Sequence, residues 1–392
     1  MFDGFDEAVE YSMKSVLNLG KFSSERAGGI ETVVNTLLEG LSFDFNFVNL
    51  VANNAFKNKI IQQTGYVEYN AALAGIFART PFCPNMPYFI KKLYQKYQFS
   101  IVHLHLPNPM AHLASKILPD SVKRIISWHS DVIRQRKLLP IYQPFVNHLL
   151  KQASAVIVST PYLAENSSQI EVARERNIIH IIPYGVDFDY FLINQYRKKI
   201  EQIKRQHANN FLIFALGRHV YYKGFCYLIE SMKQLPKNIL LLLGSEGPLT
   251  SKLKQQVKFS NLENRVFFLG QITKQDLPAY YHACDVFCLP SIDQSEAFGI
   301  AQLEAMACAK PVISCDVTHA ASNLNKDGLT GFVIPPCCPL SLTSALLKLY
   351  HDPLLRQSLG HSAYHYAREN FTMQKMISMV KNLYHEVQSS SG

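Results

Sequence analysis

Short apolar runs recur along this chain at helix-length intervals, and that spacing narrows the fold more than any single motif. The first series reads Ser12–Gly20, Phe45–Val51, Ile101–His105, Lys123–His129, Ala155–Ser159 and Ile178–Ile182. The second reads Phe211–Gly217, Ile239–Gly244, Arg265–Gly270, Asp285–Leu289, Pro311–Ser314 and Gly331–Ile334. Nearly continuous apolar runs, separated by helical stretches, are the pattern of buried parallel strands joined by crossover helices. The spacing predicts an α/β protein with two doubly wound, Rossmann-like parallel-sheet domains facing each other. At 392 residues the chain is too long for one core, which agrees with two domains. Pro183-Tyr184-Gly185-Val186-Asp187 reads as the turn closing the first. The expected division is an N-terminal extension over 1–11, a first domain over 12–190, a second over 191–370, and a C-terminal helix over 371–392 that packs back on the first domain. Ligands of open parallel sheets lie at the carboxyl ends of the strands, so the expected site is the inter-domain cleft.

Composition excludes several classes. Apolar residues at 48% and charged residues at 18% describe a globular protein. The acidic start Met1-Phe2-Asp3-Gly4-Phe5-Asp6-Glu7 is not a secretory signal. No run approaches the ~18 apolar residues of a membrane-spanning helix, so a cytoplasmic chain is expected. The eight cysteines include no Cys-x2-Cys pair, and neither Cys284/Cys288 nor Cys337/Cys338 finds a second pair at zinc spacing. They read as buried, reduced thiols. Between Arg79 and Lys151 stand eleven basic residues against two acids, Asp120 and Asp131, which accounts for the whole net charge of +9. The segment includes Lys91, Lys92 and Lys96 in an amphipathic stretch and the cluster Arg134, Arg136 and Lys137. No recognised nucleic-acid module carries these charges. They read either as a solvated face or as a patch that docks on anionic lipid.

The stretch from Ser295 to Ala307 carries the most chemistry. Glu296 and Glu304 stand eight positions apart, with Phe298-Gly299 between them. On one continuous helix, at about 100° per residue, their side chains would point roughly 80° apart. A helix starting near Gly299 instead leaves Glu296 in the preceding loop and Glu304 about one and a half turns in. Both carboxylates can then border one cleft. The backbone N–H groups near Phe298, Gly299 and Ile300 would form a helix N-terminus, which favours a phosphate. The plain alternative is a surface helix with an acid in its loop.

Arg218 and Lys223 follow the first strand of the second domain, and two cations at a strand end suit a diphosphate. A solvent-exposed turn would look similar. Gly28 and Gly29 lie in the first strand-to-helix turn, where backbone can approach a phosphate or sugar. They form no Gly-x-Gly-x-x-Gly fingerprint, so a nicotinamide dinucleotide is disfavoured. His129 ends a strand beside Trp128, the only tryptophan. His103 and His105 alternate on a strand without visible partner ligands and read as core or cleft lining. Asp187-Phe188-Asp189 matches an Asp-x-Asp metal motif, but its position after a Pro-x-Gly-Val turn argues against metal binding.

Taken in order, these residues resemble the retaining glycosyltransferases of family 4, which have the GT-B fold. The resemblance runs from about Lys14 to Phe371. It rests on Gly28–Glu31, Trp128–Asp131, Pro183–Asp187, Gly217-Arg218, Tyr221–Gly224, Gly244–Pro248, Glu296 with Glu304, Asn325–Gly328 and Thr330–Val333. It implies that Glu304 binds the donor's ribose hydroxyls, that Glu296 faces the donor sugar, and that Arg218 and Lys223 stabilise the leaving diphosphate. It also implies that His129 lies by the donor sugar, that Gly28 and Gly29 lie against phosphate and acceptor, and that the strand end at Gly270 borders the base. Catalysis would need no metal, with fixed cations and helix N–H groups meeting the charge on the leaving phosphate. That phosphate would help deprotonate the acceptor, which makes Glu296 a donor-positioning residue. The loop Gly244–Pro248 is one residue longer than the family's pattern.

The segment His129–Tyr142, with Ser159-Thr160-Pro161, resembles bacterial polysaccharide and O-antigen mannosyl- or rhamnosyltransferases. It implies a nucleotide-sugar co-substrate, GDP-mannose ahead of UDP- or dTDP-sugars, and a glycan or lipid-linked acceptor at the inner face of the cytoplasmic membrane. Two competing readings are an epimerase or phosphorylase of the same fold and a sugar-nucleotide-binding protein without turnover. The first needs another acid pattern or a pyridoxal phosphate lysine. The second fits poorly with intact Arg218, Lys223, Glu296 and Glu304.

Overall fold

The computed structural model describes residues 13–23, 29–77, 80–133, 137–296, 298–317 and 324–389. Its strands are β1 (Ser15–Phe22), β2 (Asn46–Ala52), β3 (Lys59–Gln63), β4 (Tyr66–Ala71), β5 (Gly75–Phe77), β6 (Thr80–Phe82), β7 (Ile101–Leu106), β8 (Lys123–Trp128), β9 (Ala155–Val158) and β10 (Ile179–Ile181). There follow β11 (Phe211–Leu216), β12 (Ile239–Gly244), β13 (Val266–Gly270), β14 (Val286–Leu289), β15 (Val312–Cys315) and β16 (Gly331–Ile334). Residue contacts divide the chain into two units, Met1–Pro183 with Met376–Gly392, and Tyr184–Lys375.

The first unit holds a sheet in the order β10-β9-β8-β7-β1-β2-β4-β3. Its pairings are parallel except at the edge, where β3 runs antiparallel to β4. That edge and the small β5–β6 hairpin depart from the expected uniform parallel sheet. β1 also runs beyond the expected end at Gly20, because a register irregularity between Leu19 and Phe22 lets the strand continue past the glycine. The second unit's sheet is parallel throughout, in the order β13-β12-β11-β14-β15-β16. Its central strands are buried on both faces, which is why β12 reads Ile-Leu-Leu-Leu-Leu-Gly without alternation.

The first unit's strands do alternate. Leu17, Leu19, Val102, Leu104, Ile126 and Trp128 join an apolar core on one face. The residues between them include Asn18, His103, His105 and Ser127, which point to the other face and are also buried. Part of that second face is covered by the C-terminal helix Met373–Ser389. Met376, Val380, Leu383, Tyr384 and Val387 recur at helical spacing and are its buried stripe. The Tyr384 ring packs edge-on to Phe45, with centroids 5.3 Å apart. Its hydroxyl lies 2.6 Å from His103 Nδ1. Lys381 Nζ is 2.5 Å from Asp44 Oδ1.

These contacts make Tyr384 a test of whether the last helix is integral to the first unit. Tyr384→Phe should cost about 1 kcal/mol through the lost hydrogen bond. Tyr384→Ala should cost about 3–5 kcal/mol through the lost ring. Denaturant unfolding would measure both, and an unchanged midpoint in Tyr384→Ala would make the helix an appendage.

Candidate functional site

In the second unit the strand order reverses between β11 and β14. At such a reversal the connections from neighbouring strands lead to opposite faces of the sheet and leave a crevice at the carboxyl edge. The loop after β11 carries Arg218 and Lys223, and the loop after β14 carries Glu296. Three contacts lock these loops together. Ile292 N–H donates to the Tyr222 carbonyl at 2.7 Å. Gly224, with φ +64°, lies so close to Pro290 that a Cβ would fall 2.0 Å from its carbonyl oxygen. Lys223 Nζ meets Glu296 Oε2 at 2.6 Å.

That ion pair is nearly dry, with side-chain exposures of 11% for Lys223 and 9% for Glu296. Ser291 Oγ donates a second hydrogen bond to Glu296 Oε2 at 2.7 Å. Burial is the largest single influence and works against the Lys223 ammonium, but the charge and hydrogen bond of Glu296 together with Tyr222 outweigh it, and the lysine pKa ends above its ordinary value. Gly217 leaves room for the lysine to fold back, since a Cβ there would meet Lys223 Cε at 2.9 Å. Arg218, on the same loop, is exposed, whereas Lys223 is held by Glu296.

The helix after this loop runs Ile300–Ala307, with Gly299 at its N-cap in left-handed conformation. Glu304 therefore lies inside the helix and Glu296 before it, as the spacing predicts. The Phe298 ring is buried and packs on Tyr184, with centroids 4.8 Å apart, so it belongs to the core. Only its backbone is in question as a donor contact. Tyr281 Oη donates to Glu304 Oε2 at 2.6 Å. Burial pushes the Glu304 carboxyl up to about 7, with the Tyr281 hydrogen bond and the Lys274 charge pulling the other way.

Gly270 ends β13 with φ +66°, and its carbonyl accepts from Ser245 N–H at 2.7 Å. The long loop Gly244–Pro248 is thereby tied to the next strand end. It is also tied to buried His219, whose N–H donates to the Glu246 carbonyl at 3.2 Å. Asp187 Oδ1 accepts from the backbone N–H groups of Asp189 and Tyr190. Its carboxylate caps a turn, which accounts for the residue without a metal.

In the first unit, Gly29 opens the helix Gly29–Leu41, and Gly28 lies outside the described residues. His129 follows β8 and is 4% exposed. Its Nε2 lies 2.9 Å from His105 Nδ1, and burial pushes its pKa down to about 4. Trp128 Nε1–H donates to Asp131 at 2.9 Å, which also accepts from Ser167 Oγ. Of the basic segment, Lys91 and Lys92 are exposed. Arg124 is buried, its guanidinium donating to the carbonyls of Val122 and Leu118, and Arg134 and Arg136 lie outside the described residues. Among the described residues no helix is long and apolar enough to cross a membrane.

Tyr281, Ser291 and His105 touch the candidate residues, yet none of these contacts was foreseeable from local sequence. A weak signal existed for His105 alone, which alternates with His103.

Two family models match the chain in tandem. One, described as Glycosyltransferase Family 4, matches residues 27–190, and the other, Glycosyl transferases group 1, matches residues 197–366. The chain is 28% identical over 367 residues to O-antigen chain mannosyltransferase C of Escherichia coli, covering 91% of this chain and 94% of that one. It is 28% identical over 352 residues to D-rhamnosyltransferase WbpZ of Pseudomonas aeruginosa, covering 90% of each. Among solved structures, sucrose-phosphate synthase from Thermosynechococcus elongatus superposes with a TM-score of 0.79 at 21% identity, over 96% of this chain and all of that one. HepE from Anabaena, solved with UDP-glucose, superposes with a TM-score of 0.75 at 20% identity, over 95% of this chain and 99% of that one. The fold is GT-B, with two Rossmann-like parallel-sheet domains.

The Glu304 carboxyl sets a pH dependence. Its pKa is raised on folding from an ordinary 4.5 to about 7, so the native state holds the proton more tightly than the unfolded chain. Its contribution to stability is full below the unfolded value and is lost as pH rises through the folded one. The thermal midpoint of the wild type should therefore fall relative to that of Glu304→Gln between about pH 4.5 and 7. A difference that stays constant over this range would place the carboxyl at its ordinary pKa.

Proposed function

Because the chain belongs to the glycosyltransferases that join a family 4 half to a group 1 half, we propose that it moves a sugar from a nucleotide-sugar donor to a glycan or lipid-linked glycan acceptor in surface polysaccharide synthesis. Transfer retains the anomeric configuration and requires no metal ion. The observation that carries this reading is the buried Lys223–Glu296 pair, 2.6 Å apart, where the strand order of the second unit reverses.

The chemistry follows from where charge develops. Departure of a nucleoside diphosphate leaves an oxocarbenium-like sugar and concentrates negative charge on phosphate. Lys223, held in place by Glu296, and Arg218 supply fixed positive charge, and the N–H groups at Gly299 and Ile300 supply oriented dipoles. These groups do the work that a divalent ion does elsewhere. Glu304 accepts from the ribose hydroxyls, Gly270 borders the base, and Glu296 and His129 meet the sugar.

GDP-mannose is the first choice of donor. Support comes from the mannosyl- and rhamnosyltransferase relatives and from the segment His129–Tyr142, which resembles such enzymes. Thermal shift with GDP-mannose, UDP-glucose and a dTDP-sugar is the direct comparison. Stabilisation by a UDP- or dTDP-linked donor alone would replace the GDP assignment.

Lys223→Ala should lower turnover by about 10² or more, as for loss of one charge-stabilising donor. It should also cost about 3–5 kcal/mol of stability, since it strands the Glu296 carboxylate. Lys223→Ala/Glu296→Ala should regain most of that stability while remaining slow. Wild-type turnover in Lys223→Ala would sink the leaving-group assignment. The transfer assay is run in excess chelator, and activity that returns only with manganese would overturn metal independence.

For the acceptor we propose docking at the inner face of the cytoplasmic membrane. Lys91 and Lys92 are exposed on the helix Met86–Tyr97 beside Tyr88, which is 56% exposed. Co-sedimentation with anionic vesicles should fall with salt and with neutralisation of Lys91, Lys92 and Lys96. Binding indifferent to both would reject the docking.

A further inference from the structure

A row of buried polar side chains crosses the first unit's sheet and ends on His129. His129 Nε2 lies 2.9 Å from His105 Nδ1, and His105 Nε2 lies 2.8 Å from Asn18 Oδ1. Asn18 Nδ2 donates to Asn49 Oδ1 at 2.8 Å, and Asn49 Nδ2 donates to Glu68 Oε2 at 3.0 Å. Strand register builds the row, with Asn18 opposite Asn49 across β1 and β2, and Asn49 opposite Glu68 across β2 and β4. Exposure runs from 0% at Glu68 to 4% at His129. Polar groups this deep cost free energy unless each finds a partner, so the continuity of the row is itself informative.

The row has a fixed polarity. Asn49 Nδ2, Asn70 Nδ2 and Ser23 Oγ all donate to Glu68, so its oxygens act as acceptors. Asn49 must then turn its nitrogen to Glu68 and its oxygen to Asn18. Asn18 must turn its nitrogen to Asn49 and its oxygen to His105. His105 accordingly carries its proton on Nε2, facing Asn18 Oδ1. Burial pushes the pKa of His105 well below the usual histidine value, so its ring is neutral. A neutral ring protonated on Nε2 presents an acceptor at Nδ1, and His129 must donate to it from Nε2–H. His103 is a contrast within the same sheet. Its partners are the hydroxyls of Tyr384 and Ser127, which either donate or accept and so dictate no tautomer.

We propose that Glu68, Asn49, Asn18 and His105 are positioning residues that lock His129 in the Nε2–H tautomer, making Nδ1 the acceptor nitrogen of its ring. An acceptor there suits a ligand hydroxyl, such as a sugar presents, and repels a carbonyl or phosphate oxygen. The opposite tautomer would reverse that preference. The consequence for the donor sugar rests on the function proposed above, whereas the tautomer lock does not.

Nitrogen-15 spectra of histidine-labelled full-length protein at neutral pH test the lock. The His129 signals are identified by their loss in His129→Gln. The wild type should show His129 protonated on Nε2 and unprotonated on Nδ1, as a single form. His105→Leu removes the acceptor and should give loss of the single form. His105→Gln should restore it, because a glutamine amide can still donate to Asn18 and accept from His129. A proton on Nδ1 of wild-type His129, or a mixture of the two forms, overturns the proposal even if His105→Leu fails to fold. An unchanged His129 spectrum in a folded His105→Leu protein overturns it as well. A transfer assay of His129→Gln reports separately on the proposed function. Full activity there would remove the ring from the reaction and leave the tautomer result standing.

Discussion

Parallel strands deliver all their carboxyl ends to one edge of a sheet, and the candidate chemistry of this chain hangs on that constraint. In the second unit the edge receives the loops after β11, β12 and β14, which carry Lys223, Glu246 and Glu296, and the end of β13 at Gly270. Residues far apart in sequence become neighbours because strand order, not loop length, decides what lies beside what. The reversal between β11 and β14 opens the crevice, and the Tyr222–Ile292 hydrogen bond keeps the two loops in register across it. Lys223 and Glu296 then pair without a long excursion by either side chain.

Burying such groups has a cost that the surroundings must offset. A dry ion pair contributes little net stability, because desolvation cancels much of its attraction. Its value here is geometric: an ammonium fixed by Glu296 needs no reorganisation when charge appears beside it. The polar row of the first unit follows the same logic without a cation. Its members are tolerable inside the sheet because the hydrogen bonds run unbroken from His129 to a carboxylate. Loss of a middle member would leave buried amides or a carboxylate without a partner, which is where the largest penalties arise.

Much of this was legible in the sequence, and the missing parts share a cause. Apolar runs located six of the first sheet's eight strands and all six of the second to within about three residues, and the spacing of Glu296 and Glu304 located a helix start at Gly299. What local sequence cannot display is register between strands. Asn18, Asn49 and Glu68 look like scattered polar residues in otherwise apolar runs until β1, β2 and β4 are laid side by side. The same holds for Tyr281 and Ser291, whose hydroxyls meet the two glutamates from other elements. β3 and β4 were missed because Lys59–Gln63 and Tyr66–Ala71 mix polar residues into short segments, as suits an edge strand and its neighbour.

The last helix bears on how the chain is made as well as how it is held. His103 and the Tyr384 that meets it are 281 residues apart. Between them the ribosome must produce the whole of Tyr184–Lys375, the second unit. At ~5–20 residues per second, the sheet that carries Phe45, Phe47 and His103 waits on the order of 10–40 s after Pro183 for that helix. Throughout that interval a buried histidine and two phenylalanines lack their partner. The second unit can close first, although it comes later in the sequence, and the first unit is the last to be finished.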